Sequence, residues 1–224
     1  ACVVIAEALS PDGTEAGFAR MMTERAQQLG LTNSVFRNSS GWPAEGHVMS
    51  MRDLTLLARR IINDFPEFYE MFAEREFLFD EQEYQNRFNR NPILGTVPGA
   101  DGLKTGHTQE AGYGLVGSAE QDGRRVVFSI TGHDTAAARA RDAEAIINWA
   151  FRQFAEREVV TEGQQIARAP VFMGAAETVG LVTDRALTML LPTSPVRGLQ
   201  AAVVSTGPIA TPAQQGERLA PRTT

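Results

Sequence analysis

Asp101-Gly102-Leu103-Lys104-Thr105-Gly106-His107-Thr108 holds the only lysine among 224 residues; the other 20 of the 21 basic residues are arginine. Arginine keeps its charge and forks its donors, whereas lysine is a compact cation whose pKa yields to its surroundings. A chain that meets its need for positive charge with arginine, and keeps one lysine between a strand-like run and Thr-Gly, marks that position for lysine chemistry. Alone, a Lys-Thr-Gly tripeptide is equally a solvated charge at a strand edge before a glycine turn. The segments around it decide.

Downstream, residues 104–108, 113–119 and 125–131 alternate as strands, and Gln121-Asp122-Gly123 is a hairpin turn between the last two. A helix is expected from about Thr135 to Phe154, with Ile146, Ile147, Ala150, Phe151 and Phe154 inward. Upstream, residues 1–9 read as the end of a buried helix, stopped by Ser10-Pro11-Asp12-Gly13. A second helix spans 14–29, with Met21 and Met22 filling core, and residues 35–43 form a loop whose Ser39 and Ser40 are turn residues. Ser50 caps a third helix, with Asp53 placed as in a capping box, and Pro66 opens a short fourth. Residues 76–79 alternate as a strand, and 86–102 form a long loop of the kind that carries function. Helices before and after a strand meander predict an α/β (α+β) domain with an antiparallel sheet. After Glu158, short apolar runs at 171–173, 179–182, 186–191 and 199–204 are separated by Pro, Gly and Asp turns, which predicts a small all-β module. The expected organisation is one domain over 1–157 and a β-rich one over 158–224.

A net charge of −6 and a pI near 5.2 argue against a nucleic-acid partner. Cys2 is the single cysteine and cannot form an internal disulfide. His47, His107 and His133 lie in separate segments without metal-ligand spacing, so neither a metal nor another cofactor is expected. No apolar run approaches the ~20 residues of a membrane span.

The longer string Lys104-Thr105-Gly106-His107-Thr108, followed by Ala111-Gly112-Tyr113-Gly114-Leu115-Val116-Gly117-Ser118-Ala119, resembles the D-alanyl-D-alanine carboxypeptidases, low-molecular-mass penicillin-binding proteins of peptidase family S11. Other segments agree in order: Leu29-Gly30-Leu31, Ser40-Gly41-Trp42-Pro43, Ser50-Met51-Arg52-Asp53, Asn89-Arg90-Asn91 and Trp149-Ala150-Phe151. The resemblance covers residues 1–155 closely. It implies a β-lactamase/transpeptidase-like domain, a peptidoglycan stem peptide ending in D-Ala-D-Ala as substrate, β-lactam antibiotics as ligands, and a place in the periplasm or on the outer face of the cytoplasmic membrane. The parent protein would be membrane-associated through a C-terminal anchor.

One departure matters. With its single lysine at 104, the sequence contains no Ser-x-x-Lys, and no serine is followed two residues later by asparagine. In the family, a run like Ala1-Cys2-Val3-Val4-Ile5-Ala6 follows the Ser-x-Asn motif, so the chain is expected to begin just after it and, alone, to be inactive. What the resemblance assigns here is one wall of the cleft. Lys104 and Thr105 would meet the substrate carboxylate, Gly106 would admit a close backbone, and Thr108 would line the strand. The amide of His107 would help form the oxyanion hole. Arg139, two residues before Arg141 in a similar context, would clamp the carboxylate, and Arg90 would flank the cleft. A non-catalytic binder of cell-wall peptides is the main rival. A class A β-lactamase is weaker, because no Glu-x-x-Leu-Asn occurs.

Overall fold

The computed structural model describes residues 1–79, 84–194, 208–210 and 216. Two compact units result, Ala1–Phe151 and Arg152–Thr224.

In the first unit, Thr14 caps α2 (Glu15–Gln28) by accepting a hydrogen bond from the Gly17 amide. Gly30, at φ +84°, ends it in a Schellman motif: Leu31 N–H bonds Ala26 O and Gly30 N–H bonds Gln27 O. The helix buries Gly17, Ala19 and Ala26, while Met21 is exposed, so small residues rather than the methionines make its packed face. The preceding α1 (Cys2–Leu9) forms as a helix, yet only Ala6 is buried and Val4 and Leu9 are exposed. The expected burial fails because α1 packs mainly on α2, with Ala6 as its one buried side chain.

Two short strands, β1 (Ser34–Val35) and β2 (Val48–Met49), pair antiparallel and bring residue 34 beside the start of α3 (Met51–Asp64). Ser50 caps α3 from the Asp53 amide at 3.1 Å. Asp53 does not complete a capping box. Its buried carboxylate instead accepts from Asn33 N–H at 2.7 Å and Ser34 Oγ at 2.8 Å, with Arg52 at 3.1 Å, tying the helix to the loop before it. Burial opposes the charged form, but the bonds from Ser34 and Asn33 and the Arg52 guanidinium outweigh it, and the Asp53 pKa lies below the ordinary carboxylate value. The stability this group supplies is therefore present above the unfolded value of about 4 and lost as pH falls through the depressed folded value. Thermal melts between pH 7 and pH 2 should show a fall in midpoint that begins below about pH 4, and Asp53→Asn should lower the pH 7 midpoint and flatten that fall. An unchanged acid limb in the variant would contradict the tether.

Pro66 opens α4 (Pro66–Tyr69) as its first residue. Residues 76–79 do not form the expected strand. Glu76 makes a single bridge to Phe88, and Phe77 and Phe79 are exposed, so the alternation has no buried face to satisfy.

The unit's sheet comprises β3 (Ala100–Thr108), β4 (Gly112–Gln121) and β5 (Arg124–His133), antiparallel and in that spatial order. Asp122 and Gly123, at φ 51° and 76°, make the two-residue turn between β4 and β5. Thr135 then caps α5 (Ala136–Gln153) from the Ala138 amide, and Arg124 closes the helix by donating to Ala150 O and Phe151 O. Leu115, Ala119 and Phe128 of the sheet pack with Ile93, Val97, Ala143 and Ile147 in one core cluster, the last two from α5. A second cluster joins Leu103 and Val116 to Ala58 of α3 and Tyr69 of α4. Burial of each large aliphatic side chain contributes about 1.5–3 kcal/mol. The middle strand is thus gripped on both faces, and it fixes the position of β3.

In the second unit, β6 (Phe154–Val160) pairs with β9 (Leu187–Pro192), and β7 (Gln165–Pro170) with β8 (Thr178–Val182). Phe154, expected as the last inward helical residue, instead opens β6. The strand expected at 171–173 lies earlier, over 165–170; Met173 takes φ +54° in the turn, where a strand cannot continue. The run at 199–204 lies outside the described residues.

Candidate functional site

Lys104 sits on β3, whose outer edge carries no strand among the described residues. The register pairs Lys104 with Val116, Gly106 with Gly114, and Thr108 with Gly112, and these share one face; Thr105 with Leu115 and His107 with Tyr113 share the other. The strand's start is anchored by a polar network. Asp101 accepts from Tyr69 Oη at 2.7 Å and from Arg125 at 2.6 Å, and Arg125 also reaches Ser118 at 2.7 Å and Glu120 at 2.5 Å. Burial, and then the Asp101 carboxylate, push the Tyr69 pKa up, although its contact with Ser118 opposes the rise, so Tyr69 is a neutral donor here.

Lys104 as a whole residue is exposed, and its ammonium folds back to donate to the Thr105 carbonyl. Its pKa is lowered by loss of surrounding water, then by the positive charges of Arg90 and Arg139. Thr105 is half-buried, and its hydroxyl makes no hydrogen bond among the described residues. A Cβ built on Gly106 would meet nothing within 4 Å, so packing does not demand glycine there. Open space over a bare backbone suits the close approach of another chain. The Thr108 hydroxyl, in contrast, accepts from the Ala111 amide at 3.0 Å and shapes the turn into β4.

Arg139, in the first turn of α5, is 7% exposed. Its terminal nitrogens reach the carbonyls of Gly114 and Arg90 at 3.5 Å, the outer limit of a hydrogen bond, and its buried Nε has no partner. No carboxylate pairs with it among the described residues. Burial accordingly depresses its pKa, partly offset by Tyr113. Arg141, two residues on, is exposed. Arg90 contributes its carbonyl to Arg139 and its charge to Lys104, while its side chain is exposed. Arg90 and Arg139 thus lie near enough to bear on the Lys104 charge, and grouped positive charge of this kind favours an anion.

The sequence reading missed Tyr113. Its ring stacks on His107 at 3.9 Å between centroids, 29° from parallel, and the Arg139 guanidinium lies 5.7 Å from its centre. The signal was available: the loop between Thr108 and Gly112 has three residues, and that register sets 113 opposite 107. Also missed was a cleft of about 500 Å³ lined by residues 40–43 and 107–110. Among the described residues, no group of three His, Cys, Asp or Glu could hold a metal, and no helix is long and apolar enough to cross a membrane.

Residues 1–135 match the family of D-alanyl-D-alanine carboxypeptidases, peptidase S11. The carboxypeptidase DacA of Escherichia coli is 31% identical over 205 residues, 91% of this chain and 50% of the relative, and DacD of the same organism is 32% identical over 202, covering 90% and 51%. The chain therefore spans about half the length of the curated relatives it matches. Penicillin binding protein 5 from Haemophilus influenzae superposes with a TM-score of 0.74 at 27% identity, covering 97% of this chain and 62% of the other. Penicillin-Binding Protein D2 from Listeria monocytogenes, in its ampicillin-bound form, gives 0.58 at 31% identity, covering 67% and 60%. A Lys-Thr-Gly edge strand on a helix-flanked antiparallel sheet, together with a match over residues 1–135, places this chain in the D-alanyl-D-alanine carboxypeptidase family of S11 peptidases.

Proposed function

We propose that these residues form the carboxylate-binding wall of a serine-type D-Ala-D-Ala carboxypeptidase that trims the terminal D-alanine from peptidoglycan stem peptides and takes β-lactams at the same place. One observation carries the reading: among the described residues the Arg139 guanidinium is buried without an acid partner, Nε unsatisfied, beside an exposed edge strand that holds Lys104. A buried, unpaired cation is costly to keep unless an anion completes it. The terminal carboxylate of a peptide added along β3 would do so, with Arg139 and Lys104 supplying charge and Thr105 its hydroxyl. The peptide's scissile carbonyl would then lie by His107, whose amide would join that of the nucleophilic serine as oxyanion donors, each contributing roughly 3 kcal/mol. Attack by the serine forms an acyl-enzyme, D-alanine leaves, and water releases the shortened peptide. The first unit would be part of the transpeptidase-like domain and the second part of a β-rich domain. The setting is the cell envelope, on its periplasmic side, with membrane association of the parent protein.

Isothermal titration calorimetry tests the wall directly. N-acetyl-D-Ala-D-Ala should bind this chain, its C-terminal amide and the L,L peptide much less. Lys104→Ala should leave the melting temperature unchanged, because the side chain is exposed, and weaken binding about tenfold or more, the loss of one charge-assisted contact. Equal binding of acid and amide would refute the reading. Labelled penicillin separates chemistry from recognition: with no Ser-x-x-Lys in these 224 residues, this polypeptide should give no heat-stable adduct.

A further inference from the structure

We propose that Tyr69, Asp101 and Arg125 are positioning residues for Lys104: by holding Asp101 out of the β3–β4 ladder, they fix the register of the Lys-Thr-Gly strand. This rests on the reading that Lys104 meets the carboxylate of a peptide. The ladder changes step at Asp101. Before it, Gly99 O accepts from the Glu120 amide at 2.9 Å and Ala100 pairs with Ala119; after it, Gly102 pairs with Ser118 and Lys104 with Val116. Within β3, Asp101 alone takes no partner on β4, a bulge that interrupts the ladder. Continued without the bulge, the first register would pair Lys104 with Leu115 and Gly106 with Tyr113. A slip of one residue exchanges the two faces of a strand, so Lys104 would leave the face it now shares with Val116 for the one that holds Leu115. The turn does not forbid this. The slip would shorten the loop after Thr108 from three residues to two, and hairpins use both lengths.

The bulge is held by side chains from two other elements. Tyr69, buried on α4, donates its hydroxyl to Asp101 Oδ1 at 2.7 Å. Glycine at 102 admits the phenol, since a Cβ there would lie 2.7 Å from its oxygen. Arg125 reaches from β5 over β4, donating to Ser118 Oγ at 2.7 Å and to Asp101 Oδ2 at 2.6 Å, while its other terminal nitrogen meets Glu120 at 2.5 Å. The guanidinium also lies 5.4 Å from the centre of the Tyr69 ring, so the two arms brace each other. Each carboxylate oxygen of Asp101 thus has its own donor, and bonds to ionised groups are the strong ones. Both bonds are made with Asp101 outside the ladder, and both therefore favour the register that follows it. The clasp lies three residues from Lys104 and acts on it through the strand.

The test is NMR on the isotopically labelled 224-residue chain. In the unmodified chain, cross-strand NOEs should join Lys104 to Val116 and Gly106 to Gly114. In Asp101→Ala a second set of β3 signals should appear, with NOEs from Lys104 to Leu115 and from Gly106 to Tyr113. Calorimetric affinity for N-acetyl-D-Ala-D-Ala should fall in proportion to the native-register fraction, about fivefold where about a fifth of the signal remains native. Tyr69→Phe keeps the ring and removes one donor; it should show the same second set at lower intensity, and it carries the test if Asp101→Ala does not fold. Asp101→Asn, which keeps an acceptor for the Tyr69 hydroxyl, should recover most of the native signals. Ile147→Val, in the separate core cluster, should lower the thermal midpoint yet keep one register and full affinity. Native NOEs alone in Asp101→Ala and Tyr69→Phe, whatever their melting temperatures, would overturn the proposal and leave the carboxylate reading standing. A slipped strand that binds the peptide undiminished would overturn the part given to Lys104. An unmodified chain that binds no peptide would remove the carboxylate reading and, with it, the role assigned to the clasp.

Discussion

Arg139→Leu should weaken the binding of N-acetyl-D-Ala-D-Ala at least ~30-fold, about 2 kcal/mol, and at the same time raise the thermal midpoint of the unliganded chain. The first effect follows from removing the buried partner of the peptide carboxylate, a change that commonly costs 2–5 kcal/mol. The second follows from the guanidinium's surroundings: two carbonyls at 3.5 Å and an unsatisfied Nε do not compensate the loss of water around a 7%-exposed cation. Leucine keeps much of the apolar stem without the charge, so the unliganded fold should relax. Opposite signs for stability and binding distinguish a site that is strained for function from a structural arginine, whose loss would lower both. Urea denaturation and calorimetry on the same preparation read the two signs.

Gly99→Ala should be the most damaging substitution to the fold. Gly99 has φ +73°, and a Cβ there would lie 1.9 Å from the Glu120 carbonyl oxygen, a backbone atom that cannot step aside. The same pair is joined by the Glu120 N–H···O=C Gly99 hydrogen bond at 2.9 Å, which starts the β3–β4 ladder. Left-handed strain and a backbone clash together should cost on the order of 3 kcal/mol or more, seen as a fall in the urea midpoint. Peptide binding should be lost with it, since β3 would no longer hold Lys104 in register. Gly106→Ala is the contrast. Nothing lies within 4 Å of its added Cβ, so stability should be nearly unchanged while peptide affinity falls, because the methyl occupies the space over which the ligand backbone would pass. Equal destabilisation by the two alanines would contradict the division between a fold glycine and a site glycine.

The sequence made the Lys104 strand and its two partners legible, because alternation and Asp122-Gly123 are local signals with local causes. The cap at Ser50 was legible for the same reason. Legibility ended where an outcome depends on what an element packs against. The apolar run at 1–9 gives a helix, but no pattern within it reports that only Ala6 finds a neighbour. Asp53 was expected to serve its own helix, and its carboxylate instead serves residues 33 and 34, about 20 positions away in sequence. Arg139 and Arg141 have nearly the same local context; only the packing of α5 on β4 buries one and leaves the other in solvent. Tyr113 escaped notice because its role is set by a cross-strand register, and the cleft at Trp42 because its two walls are more than 60 residues apart in the chain.

The most direct test of the central claim is the side-chain ¹H–¹⁵N resonance of Arg139 Nε, assigned by its loss in Arg139→Lys. Titration with N-acetyl-D-Ala-D-Ala should move that resonance downfield to saturation as the unsatisfied buried N–H gains a carboxylate acceptor, while the C-terminal amide leaves it in place. A resonance indifferent to the acid, or moved equally by acid and amide, would contradict the assignment of this edge strand as a carboxylate-binding wall.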